Sequence, residues 1–464
     1  MVLGWARVLL LTWFVALVGV AGLRADAPVD LQDRLVTRTL ANGMHVTVLP
    51  DPALRTVATE LWVHVGSANE EQETRGFAHL FEHLMFGGTV EHSKEDYALL
   101  HESHGGYENA FTSFDETVYI SEIPPAGHDE VLALEADRLV NLALSEENLA
   151  NEKKIVTEEL RLRTENDPMV RVMLTALEAI LGEHPYAVTP AGTKEDIARA
   201  DLEQARGFYR RYYRPSNVHL VVVGPVDPRR VLARVEEVFG SLEPGAGPPE
   251  DVPEVMGWPM PGLVRLEEDL PPVETVIAGF PLPSPDSADH AALEVMRELL
   301  GGGRIDPFVE ELVRRRKKAI YAQTEHLEFR KGGAVIFAAA FLPYHRERTE
   351  RRLVRETLQV LARMEWLDEA GFEGARRRLL QRVYRGAYSP VALADSLGRA
   401  RWWRGDEKLA LRHASELEAV RLEDVRRVYR TYLAEAEPVM LIIRPEHVPL
   451  YVQLFGWLYP LLQR

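Results

Sequence analysis

The feature that most constrains the fold is an internal repeat. The segment LEQARGFYRRYYRPSNVHLVVVGP from Leu202 runs without a gap beside LEDVRRVYRTYLAEAEPVMLIIRP from Leu422, at an offset of 220 residues. Leu, Glu, Arg, Tyr, Arg, Tyr and a closing Pro recur in register, at 202, 203, 206, 209, 210, 212 and 225 and again at 422, 423, 426, 429, 430, 432 and 445. Each copy reads as an amphipathic helix, a turn and a buried apolar strand. Upstream, each half also has an apolar strand (57–65; 276–280) and then a helix closed by glycines, Gly87-Gly88 or Gly301-Gly302-Gly303. A tandem duplication of an α+β unit accounts for this pattern. The stretch 243–262, dense in Pro and Gly and without helical or strand period, reads as the linker. The expected organisation is two duplicated domains, 28–242 and 263–447, each a mostly antiparallel sheet packed with helices.

Both ends carry apolar segments. Between Arg7 and Arg24 lies an uncharged run, 8–23, so that 1–27 reads as a secretory signal or an uncleaved membrane anchor. The stretch 448–462 has no charge and contains Pro460; the tail 448–464 is expected to pack against the body rather than lie in a membrane interface.

Composition narrows the chemistry. Apolar residues make up 46% and charged residues 27% of the chain, as in ordinary soluble domains and unlike a disordered or polytopic membrane protein. A net charge of −17 disfavours a phosphate-backbone binder. With no cysteine, disulfides, thiolate metal sites and thiol nucleophiles are excluded. A metal site here must be built from His, Asp and Glu.

The first repeat contains His79-Leu80-Phe81-Glu82-His83. Two His at i and i+4 share one helical face and can bind one ion, and Glu82 lies close to that face. The neighbours Phe77, Ala78, Leu80, Phe81, Leu84, Met85 and Phe86 are apolar on all sides, so the helix reads as buried and its polar side chains need partners. A hydrogen-bonded core His pair is the alternative, and a third ligand separates the two. The helix 151–163 (NEKKIVTEELRLR) offers one. At 100° per residue, Glu152, Ile155, Val156, Glu159 and Leu162 form one stripe, with Lys153, Lys154, Glu158 and Arg161 off it. Two carboxylates therefore fall on the expected core face, where a cation is needed, and Glu159 is favoured over Glu158.

His-x-x-Glu-His is the zincin motif inverted, and the chain resembles the pitrilysin/insulysin family of zinc peptidases, which includes the mitochondrial processing peptidases. The resemblance spans about residues 36–445. The family carries its paired-carboxylate helix at the separation found here, 159 − 83 = 76 residues. It implies that His79, His83 and Glu159 hold one Zn2+ per chain, that Glu82 is the general base, and that Glu152 supports the catalytic site. The segment from His104 to Thr112 (HGGYENAFT) reads as a glycine turn entering a strand; the resemblance makes it an exposed edge that pairs with substrate, with Asn109 and Ala110 beside the scissile bond. In the second repeat (RRRKKAIY), it points to Arg314 and Tyr321 as substrate-binding groups, although Lys-Lys-Ala stands where the family has a glycine-containing turn. The second-repeat segment aligned with the His motif, Leu293-Glu294-Val295-Met296-Arg297, has no ligand set.

The function implied is that of an exported zinc metalloendopeptidase acting on peptides or unfolded chains. The resemblance implies a homodimer, or a heterodimer with a related subunit, because family chains of this size pair around the peptide. The rival class is a non-catalytic peptide-binding or assembly subunit, against which the intact residues 79, 82, 83, 152 and 159 speak.

Overall fold

A computed structural model describes residues 31–165, 168–245, 250–260, 262–268, 273–302, 306–342 and 347–450. Segment 1–27, expected to be a signal or an anchor, and the tail from 451 onward lie outside the described residues. Among the described residues, no helix is long and apolar enough to cross a membrane.

Eleven strands form two sheets among the described residues. The first contains β1 (Val36–Thr39), β2 (His45–Pro50), β3 (Val57–Val63), β4 (Tyr107–Thr112), β5 (Thr117–Ile123) and β6 (Val218–Gly224), in the order β1-β2-β6-β3-β5-β4. The second contains β7 (Leu263–Glu268), β8 (Glu274–Leu282), β9 (Tyr321–Phe329), β10 (Gly332–Phe341) and β11 (Val439–Pro445), in the order β7-β11-β8-β10-β9. The second order repeats β2-β6-β3-β5-β4 strand for strand. Even the exceptional pairing recurs: β2 runs parallel to β6 and β7 parallel to β11, within otherwise antiparallel sheets. The offset of 220 residues is thus a duplicated α+β topology. β4 and β9 are the corresponding edge strands.

Each sheet has its own helical core on one face. In the first half, Leu61, Phe77, Phe81, Tyr119 and Phe208 pack together; in the second, Phe280, Val295, Phe337, Val428 and Ile442 do so. The opposite faces are covered by exchange. The helix Pro168–Leu181 of the first half sets Val172, Ala176 and Ile180 on Ile277, Ile336 and Leu441 of the second sheet. Its counterpart about 220 residues later, Pro390–Arg404, sets Leu393, Ala394 and Leu397 on Ala58, Trp62 and Val221 of the first. This explains why β3 and β6 are buried at every position and read as continuous apolar runs rather than as alternating ones.

The two edge hairpins also meet at their tips. The backbone N–H of Arg330 donates to Asp115 Oδ2 at 2.9 Å, and the Tyr186 hydroxyl donates to Asp115 Oδ1 at 2.6 Å. The Trp402 indole N–H donates to the Asp115 carbonyl at 3.1 Å, and that of Trp403 to Glu116 Oε2 at 2.8 Å. Trp402 in turn stacks on His64, with ring centroids 3.7 Å apart.

Two outcomes follow from this junction. Gly398 lies against Trp62, and a Cβ there would fall 2.2 Å from the fully buried indole. Gly398→Ala, which stabilises an ordinary exposed helix by about 1 kcal/mol, should here lower the thermal midpoint, because overpacking costs about 1–3 kcal/mol. His64 is half-buried with its Nε2 out of reach of solvent, and desolvation together with the Arg330, Arg401 and His45 charges lowers its pKa to about 3. The unfolded chain takes up that proton near pH 6.5, so this histidine costs stability as pH falls from about 6.5 toward 3. His64→Phe keeps an aromatic ring on Trp402 and removes the titration. Its thermal midpoint should gain on wild type as the buffer is taken from pH 7 to pH 4; a constant gap contradicts this.

Candidate metal centre

The His motif lies on a short helix, Phe77–Leu84, that is held on three sides. At its N-terminus, Gly76 takes a left-handed conformation (φ 82). Glu70 reaches this end of the helix: Oε2 accepts from the Gly76 N–H and Oε1 from the Ala78 N–H, both at 2.7 Å. A carboxylate here satisfies backbone donors that lack helical partners and complements the helix dipole. Burial pushes the Glu70 carboxyl well above its usual range, against these two N–H groups, which favour the charged form. On the core side, Phe81 stacks on Phe208 at 5.1 Å and on Tyr209 at 6.1 Å, both from the repeat helix Leu202–Tyr212. The Tyr119 hydroxyl donates to the Phe81 carbonyl at 3.2 Å.

The remaining face of the helix presents His79 and His83 to the long helix Glu146–Glu165. Glu159 Oε2 lies 3.7 Å from His79 Nε2 and 3.3 Å from His83 Nε2. The imidazoles are nearly perpendicular, at 84°, with centroids 4.9 Å apart. One potential ligand atom from each of the three residues lies within 4.8 Å of the others, an arrangement that no other His/Asp/Glu group matches among the described residues. Glu152 Oε2 approaches His83 Nδ1 at 3.7 Å. Glu82 Oε2 accepts from the Thr112 hydroxyl at 2.6 Å, which ties the motif to β4. His79 is buried, whereas His83 and Glu159 keep 22% and 24% of their side-chain surface, so the cluster is open on one side.

This donor set fits zinc. Two imidazole nitrogens and one carboxylate oxygen converge, leaving room for a fourth ligand, as in catalytic zinc sites. The local field also favours a cation. Burial alone would lower the His83 pKa, but Glu152, Glu159 and Glu82 outweigh it and hold it above the ordinary imidazole value.

The expected apolar stripe on the carboxylate helix needs correction. Glu152 and Val156 are buried, but Ile155 is 48% and Leu162 52% exposed. Val156 does enter the core, but Leu149 and Leu160 join it there in place of Ile155 and Leu162. Glu158 stays on the solvent side, paired with Arg161 at 3.0 Å.

The other expected residues are placed as follows. Gly105 (φ 68) ends the helix Lys94–His104, and the chain then enters β4. Ala110 shares a face of β4 with Thr112, toward the metal helix, while the exposed Asn109 falls on the alternate face with Phe111. Arg314 pairs with Glu310 at 3.1 Å, and the Tyr321 hydroxyl donates to Gln323; both partners lie in the second half, apart from the histidine cluster. Where the sequence lacks the glycine turn, Lys317 itself adopts a left-handed conformation (φ 49). Glu70 and Thr112 were not legible as site residues: nothing in their spacing to His79 marks an N-terminal clamp or a partner for Glu82.

In the second half the matching helix, His290–Leu300, lies against Glu369–Gly386, but salt bridges occupy the contact. Arg297 bonds Glu328 on β9 at 2.6 Å, and Glu298 bonds Arg378 at 2.5 Å and Arg382 at 2.6 Å.

Comparison with known proteins matches both halves. Residues 46–187 fit the family described as insulinase (peptidase family M16), and residues 199–379 fit the peptidase M16 inactive domain. The chain belongs to peptidase family M16. Zinc protease PqqE of Helicobacter pylori is 29% identical over 66% of this chain and 69% of its own. An uncharacterized zinc protease of Mycobacterium bovis is 29% identical over 88% and 93%. Among solved structures, a Helicobacter pylori protease matches with a TM-score of 0.77 at 24% identity, covering 89% of this chain and 99% of that one. The periplasmic protease PqqL of Escherichia coli matches with a TM-score of 0.66 at 18% identity, covering 91% of this chain but 49% of PqqL. These structural matches establish a shared M16 fold. The inactive-domain match agrees with the second-half segment 293–297, which lacks the His-x-x-Glu-His pattern.

Glu70 gives a direct check on how the metal helix is held. Glu70→Ala leaves two helix N–H groups without their carboxylate and should cost about 1–3 kcal/mol of stability, read from denaturant midpoints. Glu70→Gln, which keeps one acceptor oxygen, should cost less.

Proposed function

We propose that the chain is a zinc-dependent metalloendopeptidase that hydrolyses peptide bonds in peptides or unfolded polypeptides. The observation that carries this reading is the convergence of His79, His83 and Glu159 beside the Glu82–Thr112 pair. The zinc protease names of the M16 relatives support it.

In this reading His79, His83 and Glu159 hold one Zn2+ ion. Bound zinc supplies a Lewis acid for the peptide carbonyl and lowers the pKa of water toward neutrality. Glu82 is the general base: Thr112 fixes its Oε2, and the carboxylate takes a proton from the attacking water and returns it to the leaving amine. Glu152 faces Nδ1 of His83, where it orients the ring and strengthens it as a ligand. β4 pairs with β5 on one side only, so its outer edge can bind an extended peptide through main-chain hydrogen bonds near Asn109 and Ala110. Arg314 and Tyr321 act as substrate-binding groups from the second half, where they can also stabilise a developing oxyanion.

The zinc and Arg/Tyr elements are assigned to domains 28–242 and 263–447. Their separation fits an enclosing homodimer, or a heterodimer with a related subunit. The PqqL match supports pairing, since this chain covers about half of that longer protein. Export to the periplasm or the medium is proposed from the segment 8–23, with the periplasmic protease PqqL in support.

Glu82→Gln should retain about one zinc per chain but lower peptide turnover by about 100-fold or more. Zinc analysis and cleavage of an unfolded protein, measured on the same preparations, check this. Zinc-loaded wild type whose cleavage is indifferent to the substitution overturns the peptidase reading.

A further inference from the structure

Helices of the second half frame a cavity of about 560 Å3, a volume that suits a small organic ligand. It lies among His290–Leu300, Glu369–Gly386, Pro390–Arg404 and Lys408–Ala419, and much of its wall is apolar, with Leu379, Val383, Leu393 and Leu411 contributing. Tyr384, half exposed, also lines it, so the cavity reaches the surface. Four arginines in and around it each hold a carboxylate: Arg297 holds Glu328 and Arg382 holds Glu298, both at 2.6 Å, Arg404 holds Glu416 at 3.2 Å, and Arg399 holds Asp395 at 3.5 Å. Glu294 differs. Among the described residues it pairs with imidazoles alone, its Oε2 lying 3.4 Å from His413 Nε2 and 3.7 Å from His290 Nε2, and all three residues line the cavity. That oxygen is buried and accepts no hydrogen bond. Burial lowers the pKa of both histidines, that of His290 to about 4, so neither supplies a counter-charge near pH 7. Burial, joined by the Glu328 and Glu416 charges, pushes the Glu294 carboxyl up to about 8 against the pull of Arg297 and Arg404. A carboxyl so placed keeps its proton or takes a cation. The His290 and His413 rings are 6.3 Å apart, and among the described residues three converging ligand atoms occur only in the first half, which favours an organic cation over a metal ion.

We propose that this cavity binds a small organic ammonium, a primary amine on an alkyl or aryl body, with its nitrogen on Glu294 and its body against the apolar wall. The ammonium donates to the carboxylate, which gives up its proton to solvent, and a neutral imidazole of His290 or His413 accepts a second N–H. Burial of the hydrocarbon body adds affinity, and the charge pair adds selectivity for an amine over a neutral or anionic analogue. Neither the histidine cluster of the first half nor β4 takes part, so this site and the peptidase reading stand or fall separately.

Calorimetry on the full-length, zinc-loaded chain tests this with phenylbutylamine, phenylbutanol and phenylbutyrate, which share one apolar body. The amine should bind at least about tenfold more tightly than either of the others. Glu294→Gln should erase that advantage while the alcohol still binds, and zinc content should stay unchanged. A crystal of the wild-type amine complex should place the nitrogen within hydrogen-bond distance of the Glu294 carboxylate. Equal affinities for amine and alcohol, an advantage that survives Glu294→Gln, or a nitrogen seated on the His79/His83 cluster overturns the proposal. So does an amine that fails to bind wild type. If Glu294→Gln fails to fold, the position of the nitrogen in the wild-type crystal decides between support and refutation.

Discussion

The approach of one carboxylate to two imidazoles, across the contact between two helices, is the interaction on which the candidate centre depends. Such groups are costly to bury unless they share hydrogen bonds or a cation. Glu159 lies within 3.7 Å of both rings, and much of the first half fixes this spacing. Glu70 holds one end of the histidine helix, while Phe208 and Tyr209 support its back. Thr112 binds the motif to the edge strand. The repeat helix thus serves as the aromatic bed under the histidine helix.

Duplication supplied two equivalent places for such chemistry, yet the halves differ. In the first, imidazoles and carboxylates leave a charge arrangement suited to a cation. In the second, Arg297, Arg378 and Arg382 neutralise Glu328 and Glu298 within the protein. Both solutions answer carboxylate charge. One uses side chains alone, and the other favours an ion from solution. The exchanged cover helices join the halves, so the second copy remains part of the first copy's packing, although among the described residues it brings no second His/Asp/Glu metal-binding cluster together.

Repetition made the architecture legible in the sequence. Leu202–Tyr212 and its counterpart from Leu422 fixed the offset, and the strands after them proved to be the matching β6 and β11. The ligand candidates were legible because helical spacing brings His79 and His83 together and separates Glu159 from Glu158. The same wheel misjudged Ile155 and Leu162, since periodicity identifies a stripe but not which edge of it meets a neighbouring helix. Glu70 and Thr112 escaped notice because their roles depend on contacts across turns and strands. The exchange of Pro168–Leu181 and Pro390–Arg404 was hidden for a related reason: an apolar helix face does not name the sheet it covers.

The central claim is that the two helices position His79, His83 and Glu159 as one zinc site. X-ray absorption at the zinc edge of the purified chain tests it most directly. The account predicts one zinc per chain with two imidazole nitrogens at about 2.0–2.1 Å and a carboxylate oxygen at about 2.0–2.2 Å, and loss of one imidazole in His83→Ala. A shell made only of water and carboxylate oxygen, or a spectrum unchanged by His83→Ala, would contradict it.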